Sequence, residues 1–138
     1  MKKFINIAFI YAILAMISGV FYREFTKFMG FSGVTSLAFT HLHFFVLGTI
    51  VFLILALFAI NTNLLQIKGI NKAITLYNIG LPFMVSMFYV RGIVQVLELA
   101  LSSGANAAIS GIAGISHIIL GVSIIWLLTC LKKVEINK

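Results

Sequence analysis

The stretch HLHFFVLGTIVFLILALFAI, residues 41–60, decides the fold class, because twenty consecutive residues contain no Asp, Glu, Lys or Arg. An α-helix rises about 1.5 Å per residue, so a helix of this length covers the roughly 30 Å hydrocarbon core of a bilayer. A strand of a membrane barrel would alternate apolar and polar residues, and this stretch does not. It therefore predicts a membrane-spanning helix.

Three further apolar segments on either side of this stretch reach a similar length. The four predicted spans cover about residues 4–22, 36–60, 73–99 and 107–131. The whole chain is 62% hydrophobic and 9% charged, with a mean hydropathy of +1.15, whereas a soluble domain is nearer half apolar and a quarter charged. We predict one all-α domain over residues 1–138, a transmembrane four-helix bundle with up-down-up-down order.

The distribution of positive charge predicts the orientation of this bundle. Four spans place seven lysines on one side of the membrane: Lys2, Lys3, Lys68, Lys72, Lys132, Lys133 and Lys138. Only Arg23 and Lys27 flank the opposite loop, and Arg91 lies near it. Cytoplasmic loops carry an excess of Lys and Arg, so we expect both termini in the cytoplasm and the protein in the cell membrane. Orientation also accounts for the net charge of +7 without a nucleic-acid partner.

Polar side chains inside the third span fall on one narrow stripe when residues are placed about 100° apart. The stripe comprises Tyr77, Gly80, Met84, Arg91, Gln95 and Glu98. Ionisable groups in a span are costly and call for a partner or a function. Arg91 either lifts its guanidinium into the headgroups or joins an internal network with Gln95 and Glu98, which the shared stripe favours.

Three histidines lie in the second and fourth spans. His117 has Gly114 and Gly121 about one turn away on the same face, which leaves a flat slot beside its imidazole. His41 and His43 are about 200° apart on the second span, so they cannot bind one ion from the same helix face, as an i, i+4 pair does. His41 shares the small-residue face of its helix and is expected to point inward.

The polar residues are concentrated in the outer half of the predicted bundle. We predict an outward-facing pocket built from Tyr22, Arg23, Glu24, His41, His43, Arg91, Gln95 and Glu98, with His117 nearer the middle. An ion path would need polar stations in both halves of the membrane. The one-sided distribution favours instead a site reached from outside or a bound cofactor.

The leading hypothesis is a haem b site for electron transfer or sensing, served by a redox partner. Haem in a helical bundle is held by histidines from facing helices, here His41 or His43 with His117. Arg23 and Arg91 would neutralise the propionates. The residues expected to leave room for the ring are Gly48, Gly114 and Gly121.

Other functions stay open on the same residues. A transition-metal ion could bind His41, His43 and His117, with Glu98 as a further ligand. A structural or accessory subunit without cofactor would use these groups to lock helix packing, and would bind another membrane protein or a second copy. A small-molecule transporter would place its site at the interruption near Pro82. No nucleophile–base pair, phosphate loop or paired acids predict an enzyme, and the single Cys130 excludes an internal disulfide.

Four motifs together resemble a family of small four-helix bacterial membrane proteins that is known only as a domain of unknown function. They are SGVFYREF at the end of the first span, THLHFFVLG opening the second, FYVRG in the third and GISHIILG in the fourth. The resemblance covers nearly the whole chain and implies architecture without an activity. THLHFFVLG alone is also similar to histidine-bearing helices of haem–copper oxidases, which implies haem binding near the outer surface.

Overall fold

The computed structural model describes residues 1–136, so Lys138, one of the seven lysines counted above, lies outside the described residues. Four long helices make up the fold: α1, Lys2–Phe28; α2, Ala38–Asn61; α3, Ile70–Val96; and α4, Ser103–Leu131. A short 3-10 turn, Leu64–Gln66, lies between α2 and α3. Each long helix has the length and the apolar composition needed to cross a membrane. The predicted all-helical membrane fold is confirmed.

The helix ends differ from the predicted spans by a few residues. α1 runs six residues beyond residue 22, because Arg23, Glu24 and Lys27 are exposed and remain solvated while the helix continues. α4 starts at Ser103 because the Ser102 hydroxyl accepts the backbone N–H of Ala105 at 3.2 Å, the usual role of an N-cap serine. The fourth helix therefore begins four residues before the predicted span of 107–131.

α2 widens into a π-helical turn over Phe44–Ile50, directly after His43. The N–H of Val51 reaches back five residues to the carbonyl of Val46. Such a turn behaves as one residue inserted into an α-helix and disturbs the regular pairing of carbonyls with N–H groups. Tyr77 of α3 donates its hydroxyl to the Leu47 carbonyl at 2.7 Å, and so satisfies a carbonyl inside the irregular turn.

All four helices contribute to one core, in which α4 places Leu120, Leu127 and Cys130, and the aromatic part of this core lies between α1, α2 and α3. Phe52 of α2 is fully buried between Phe4 and Tyr11 of α1 and Tyr77 of α3, with ring centroids 5.7 to 6.3 Å apart. The Tyr11 hydroxyl also donates to Asn78 Oδ1 at 2.9 Å. These contacts tie α1, α2 and α3 to one another.

α4 is the peripheral helix of the bundle, since it packs almost entirely on α3. The two helices approach most closely at Gly80, where an added Cβ would lie 3.1 Å from the backbone of Leu120. An apolar cleft of about 190 Å³ lies between α2 and α4, and Tyr77 of α3 lines it. α3 therefore forms the floor of a gap whose two walls are α2 and α4.

Contacts between the helices fix their relative directions. Tyr11 pairs with Asn78 and Ser18 with Tyr89, so α1 and α3 run parallel, and consecutive helices run antiparallel. The Asn63 N–H donates to the Glu135 carbonyl at 3.2 Å. The N-terminus, the α2–α3 connection and the C-terminal segment thus share one end, here called the terminal end. The α1–α2 and α3–α4 connections share the other, here called the hairpin end. Which end faces the cytoplasm stays a prediction from charge.

Candidate functional site

His43 of α2 and His117 of α4, here called the histidine pair, both contact Phe88 of α3, nearer the hairpin end than the apolar cleft, whose lining includes none of these three residues. The Phe88 ring centroid is 4.8 Å from that of His43 and 5.6 Å from that of His117. Phe39 adds a further aromatic contact to Phe88 at 6.0 Å. One aromatic residue therefore contacts imidazoles from two helices that hardly touch each other.

Each imidazole of the histidine pair is oriented by its own helix. His43 Nδ1 lies 2.8 Å from the Phe39 carbonyl, and His117 Nδ1 lies 2.8 Å from the Ala113 carbonyl. A carbonyl oxygen only accepts hydrogen bonds, so Nδ1 carries the proton in both rings. The lone pair is then on Nε2, and a backbone carbonyl on the opposite nitrogen is the usual support of a metal-bound histidine.

His41 lies on the other side of α2, against α1. A Cβ at Gly19 of α1 would lie 3.7 Å from His41 Cβ. The Nδ1 atom of His41 is buried and has no hydrogen-bond partner. His41 thus points toward the α1–α2 interface, as its small-residue face suggested, and the structure does not bring it to the histidine pair.

The three glycines predicted to make room for a ring have different surroundings. At Gly48 an added Cβ would lie 2.5 Å from the Tyr11 Cβ, so the missing side chain admits a residue of α1. Gly114 and Gly121 have nothing within 4 Å of an added Cβ. They contribute open surface beside His117, whereas Gly48 contributes to helix packing.

Arg91, Gln95 and Glu98 line one pocket at the hairpin end, here called the Arg91 pocket. It has a volume of about 290 Å³, and its other lining residues are Val94, Leu99, Leu101 and Asn106. Arg91 donates from its two terminal nitrogens to Asn106 Oδ1 and Ser110 Oγ, both at 2.6 Å. Three of the six stripe residues therefore share one pocket, whereas Tyr77 lines the apolar cleft, Gly80 packs on α4 and Met84 lies in the core.

The hydrogen-bond partners of Arg91 differ from those that the sequence suggested. They are Asn106 and Ser110 of α4, four residues apart on one helix face, and not Gln95 and Glu98. The sequence analysis missed Asn106 because this residue lies just before the predicted fourth span of 107–131. Its i, i+4 spacing from Ser110 is the signal that could have revealed it.

The end of α1 forms a separate, exposed group. Arg23 Nε lies 3.8 Å from Glu24 Oε1, and the two side chains are 79% and 57% exposed. Tyr22 is half-buried beside them. None of these three residues lines the Arg91 pocket or stacks on the histidine pair.

No three His, Cys, Asp or Glu side chains within residues 1–136 lie together as ligands of a metal ion. The reason is helix geometry: His41 and His43 are two residues apart, so their rings leave α2 in opposite directions. The structure does not assemble the predicted site of His41, His43 and His117 around one ion.

Comparisons with known proteins give a family and no closer relative. Neither the curated proteins nor the solved structures include a significant match to this chain. A family model described as "Protein of unknown function (DUF2871)" matches residues 1–134, nearly the entire length. The chain therefore belongs to this family of proteins of unknown function, in agreement with its four helices and with the resemblance carried by its four motifs.

Proposed function

We propose that the protein binds haem b between α2 and α4, where His43 and His117 would hold the iron, and that the bound haem would serve electron transfer in the membrane. The observation that carries the proposal is the state of the histidine pair. The imidazoles of His43 on α2 and His117 on α4 both contact Phe88. In each ring, Nδ1 is hydrogen-bonded to a backbone carbonyl of the same helix. Nε2 of each is then the free nitrogen donor that haem iron takes.

The surroundings of the histidine pair also suit a flat apolar ligand. Phe39 and Phe88 supply aromatic surface on the floor and one wall. The two walls are not packed against each other, so a ligand held by both imidazoles has to displace the Phe88 ring that now contacts them but no direct packing of α2 on α4. Bound haem supplies one-electron redox chemistry; the residues of this chain bind it, orient it and exclude water.

The first test is an absorption spectrum of protein expressed with ample haem and purified in detergent. We expect a Soret band that shifts and sharpens when dithionite is added. His43→Ala and His117→Ala should each lose or displace this band. A blank spectrum from folded protein, despite the haem supply, would contradict the proposal.

His41→Ala is the matched control, because it removes an imidazole from the same helix that faces α1. It should keep the band. A second control is His117→Gly with free imidazole added, which restores a ligand without restoring the side chain. Loss of the band in His41→Ala alone, or a band unchanged in the variant lacking both His43 and His117, would refute the assignment of the ligands.

A second candidate is an accessory subunit without cofactor, favoured by the free outer face of α4. Two glycines on that face, Gly104 and Gly111, have nothing within 4 Å of an added Cβ, and Gly114 and Gly121 beside His117 are equally open. Small residues allow close approach of another membrane helix. Cross-linking of Gly111→Cys in a Cys130→Ser background tests it: a specific adduct with a haem-free protein would favour this role over the first.

A further inference from the structure

We propose that the Arg91 pocket binds the headgroup of a phospholipid that carries a primary amine, of the phosphatidylethanolamine type. The phosphate would lie on Arg91 and Gln95, and the ammonium group on Glu98. This site is separate from the histidine pair and does not depend on haem.

Arg91 supplies an unneutralised cation. Within residues 1–136 no carboxylate oxygen lies within 4.0 Å of its guanidinium, since the sole such pair joins Arg23 to Glu24. The acceptors at Asn106 and Ser110 are neutral, so they orient the guanidinium without cancelling its charge. A guanidinium has five N–H groups, and two are used here. The remaining N–H groups match the oxygens of a phosphate, which Arg binds in bidentate fashion.

Gln95 adds donors of fixed direction beside Arg91. Its Oε1 accepts the backbone N–H of Ser36 at 2.7 Å, and this bond decides which end of the amide is the oxygen. The Nε2 group is left with two N–H donors and lines the same pocket. Phosphate oxygens are the acceptors that suit such a group.

Glu98 lies in the pocket in a backbone conformation that normally belongs to glycine. Its φ is +50°, and it follows the end of α3, where the N–H of Leu99 reaches back to the carbonyl of Val94 at 3.1 Å. This is the Schellman arrangement, whose left-handed position is usually Gly. The left-handed backbone conformation costs a residue other than glycine about 1 kcal/mol of free energy. Backbone strain of this kind is concentrated at functional sites. A carboxylate at this position offers an ammonium group its natural partner.

The position and lining of the pocket suit a headgroup. It lies where α3 ends at Val96 and α4 begins at Ser103, at the level where a spanning helix leaves the hydrocarbon for the headgroup region. Val94, Leu99 and Leu101 supply the apolar part of the lining, against which the glycerol and the first methylenes would pack. A volume of about 290 Å³ fits a headgroup and excludes a whole lipid.

The test compares three lipids with identical acyl chains on haem-free, detergent-purified protein by native mass spectrometry. Phosphatidylethanolamine has a primary ammonium, phosphatidylcholine has a quaternary one without N–H donors, and phosphatidylglycerol has none. We expect binding of phosphatidylethanolamine to exceed the other two by about tenfold, the effect of one charge-assisted hydrogen bond. Equal binding of all three would overturn the proposal.

Variants separate the two halves of the site. Arg91→Gln should lose all three lipids. Glu98→Gln and Glu98→Gly should keep phosphate binding and lose the preference for the primary amine, and Glu98→Gly should unfold at the same or a higher temperature because it relieves the backbone strain. Arg23→Gln, in an exposed ion pair, is the control that should change nothing. An unaltered preference in both Glu98 variants would refute the site.

The same experiment distinguishes a lipid phosphate from a haem propionate as the oxyanion on Arg91. Lipid binding that persists in protein expressed without haem supports the headgroup site. Lipid binding absent from wild type, together with a Soret band weakened by Arg91→Gln, would assign the oxyanion to haem and end the lipid proposal. The lipid proposal does not depend on the haem proposal, because its test measures the mass of lipid bound to haem-free protein.

Discussion

At the scale of single residues, buried hydroxyls inside the helices are satisfied locally, with one exception. Ser18, Thr40 and Ser123 each donate to a carbonyl three or four residues earlier, at 2.6 to 2.7 Å. Thr49, inside the π-helical turn, has a buried Oγ1 without a partner. The widened turn changes the local carbonyl positions, so the usual back-bond of a helical threonine is missing there.

Replacing this hydroxyl by a methyl group should therefore stabilise the protein. We expect Thr49→Val to raise the free energy of unfolding by up to about 1 kcal/mol, because an unsatisfied buried polar group is removed. Thr40→Val is the matched control and should lower it by about the same amount, since Thr40 loses its bond to Leu37. Thermal unfolding in detergent measures both. A lower melting temperature for Thr49→Val would show that its hydroxyl has a partner.

Tyr77 is the residue that supports the π-helical turn from outside α2. Tyr77→Phe removes the hydrogen bond to the Leu47 carbonyl and keeps the buried ring. We expect a loss of about 1 to 2 kcal/mol in the free energy of unfolding, because the carbonyl is left unsatisfied. Tyr22→Phe, at a half-buried residue near the exposed end of α1, should leave the melting temperature unchanged. Equal melting temperatures for both variants would contradict this role.

The histidines show how far residue-scale prediction reaches. Helical phase alone separated His41 from His43, and the structure places them against α1 and near α3 respectively. Helical phase could not show which helix lies against each side of α2. Gly48 was therefore predicted to leave room for a ligand, whereas in the structure Tyr11 of α1 occupies that space. Which helices are neighbours depends on packing between segments that are distant in the sequence, and a single sequence does not show that packing.

At the scale of elements, the attachment of α4 depends on one close approach. Gly80→Ala places a Cβ about 3.1 Å from the Leu120 backbone, and backbone cannot move aside as a flexible side chain does. We expect the free energy of unfolding to fall by about 1 to 3 kcal/mol, the usual cost of overpacking. The measurement is thermal unfolding of purified protein.

Gly111→Ala is the control for this substitution, because nothing lies within 4 Å of its added Cβ. It should be neutral or stabilising by up to about 1 kcal/mol, since Ala favours helix over Gly. The opposite order of the two variants would mean that α4 packs through its glycine face.

The elements also show what periodicity could and could not predict. All four helices were predicted, with ends within six residues of those in the structure, because uninterrupted apolar length is a strong signal. The π-helical turn in α2 had no signal in the sequence, since it depends on Tyr77 and Tyr11 packing from other helices. The end of α3 at Val96 was missed by three residues because the Schellman arrangement there has Glu98 in place of Gly.

At the scale of the whole molecule, the predicted orientation can be measured with single cysteines. In a Cys130→Ser background, Ser32→Cys lies in the α1–α2 connection and Lys68→Cys in the α2–α3 connection, and both positions are exposed. We expect a membrane-impermeant maleimide to label Ser32→Cys in intact cells and Lys68→Cys only after lysis, because the lysine-rich end should be cytoplasmic. The reverse pattern would invert the bundle.

The peripheral place of α4 also has a consequence for biogenesis. α1, α2 and α3 already hold one another through Phe52, Tyr11 and Tyr77, and none of these contacts uses α4. As the chain leaves the ribosome, a three-helix intermediate can therefore assemble in the bilayer before the last span is released. His117, Asn106 and Ser110 then arrive together on that span. Insertion of α4 thus completes the histidine pair and the Arg91 pocket in one step, so neither site exists before α4 has entered the membrane.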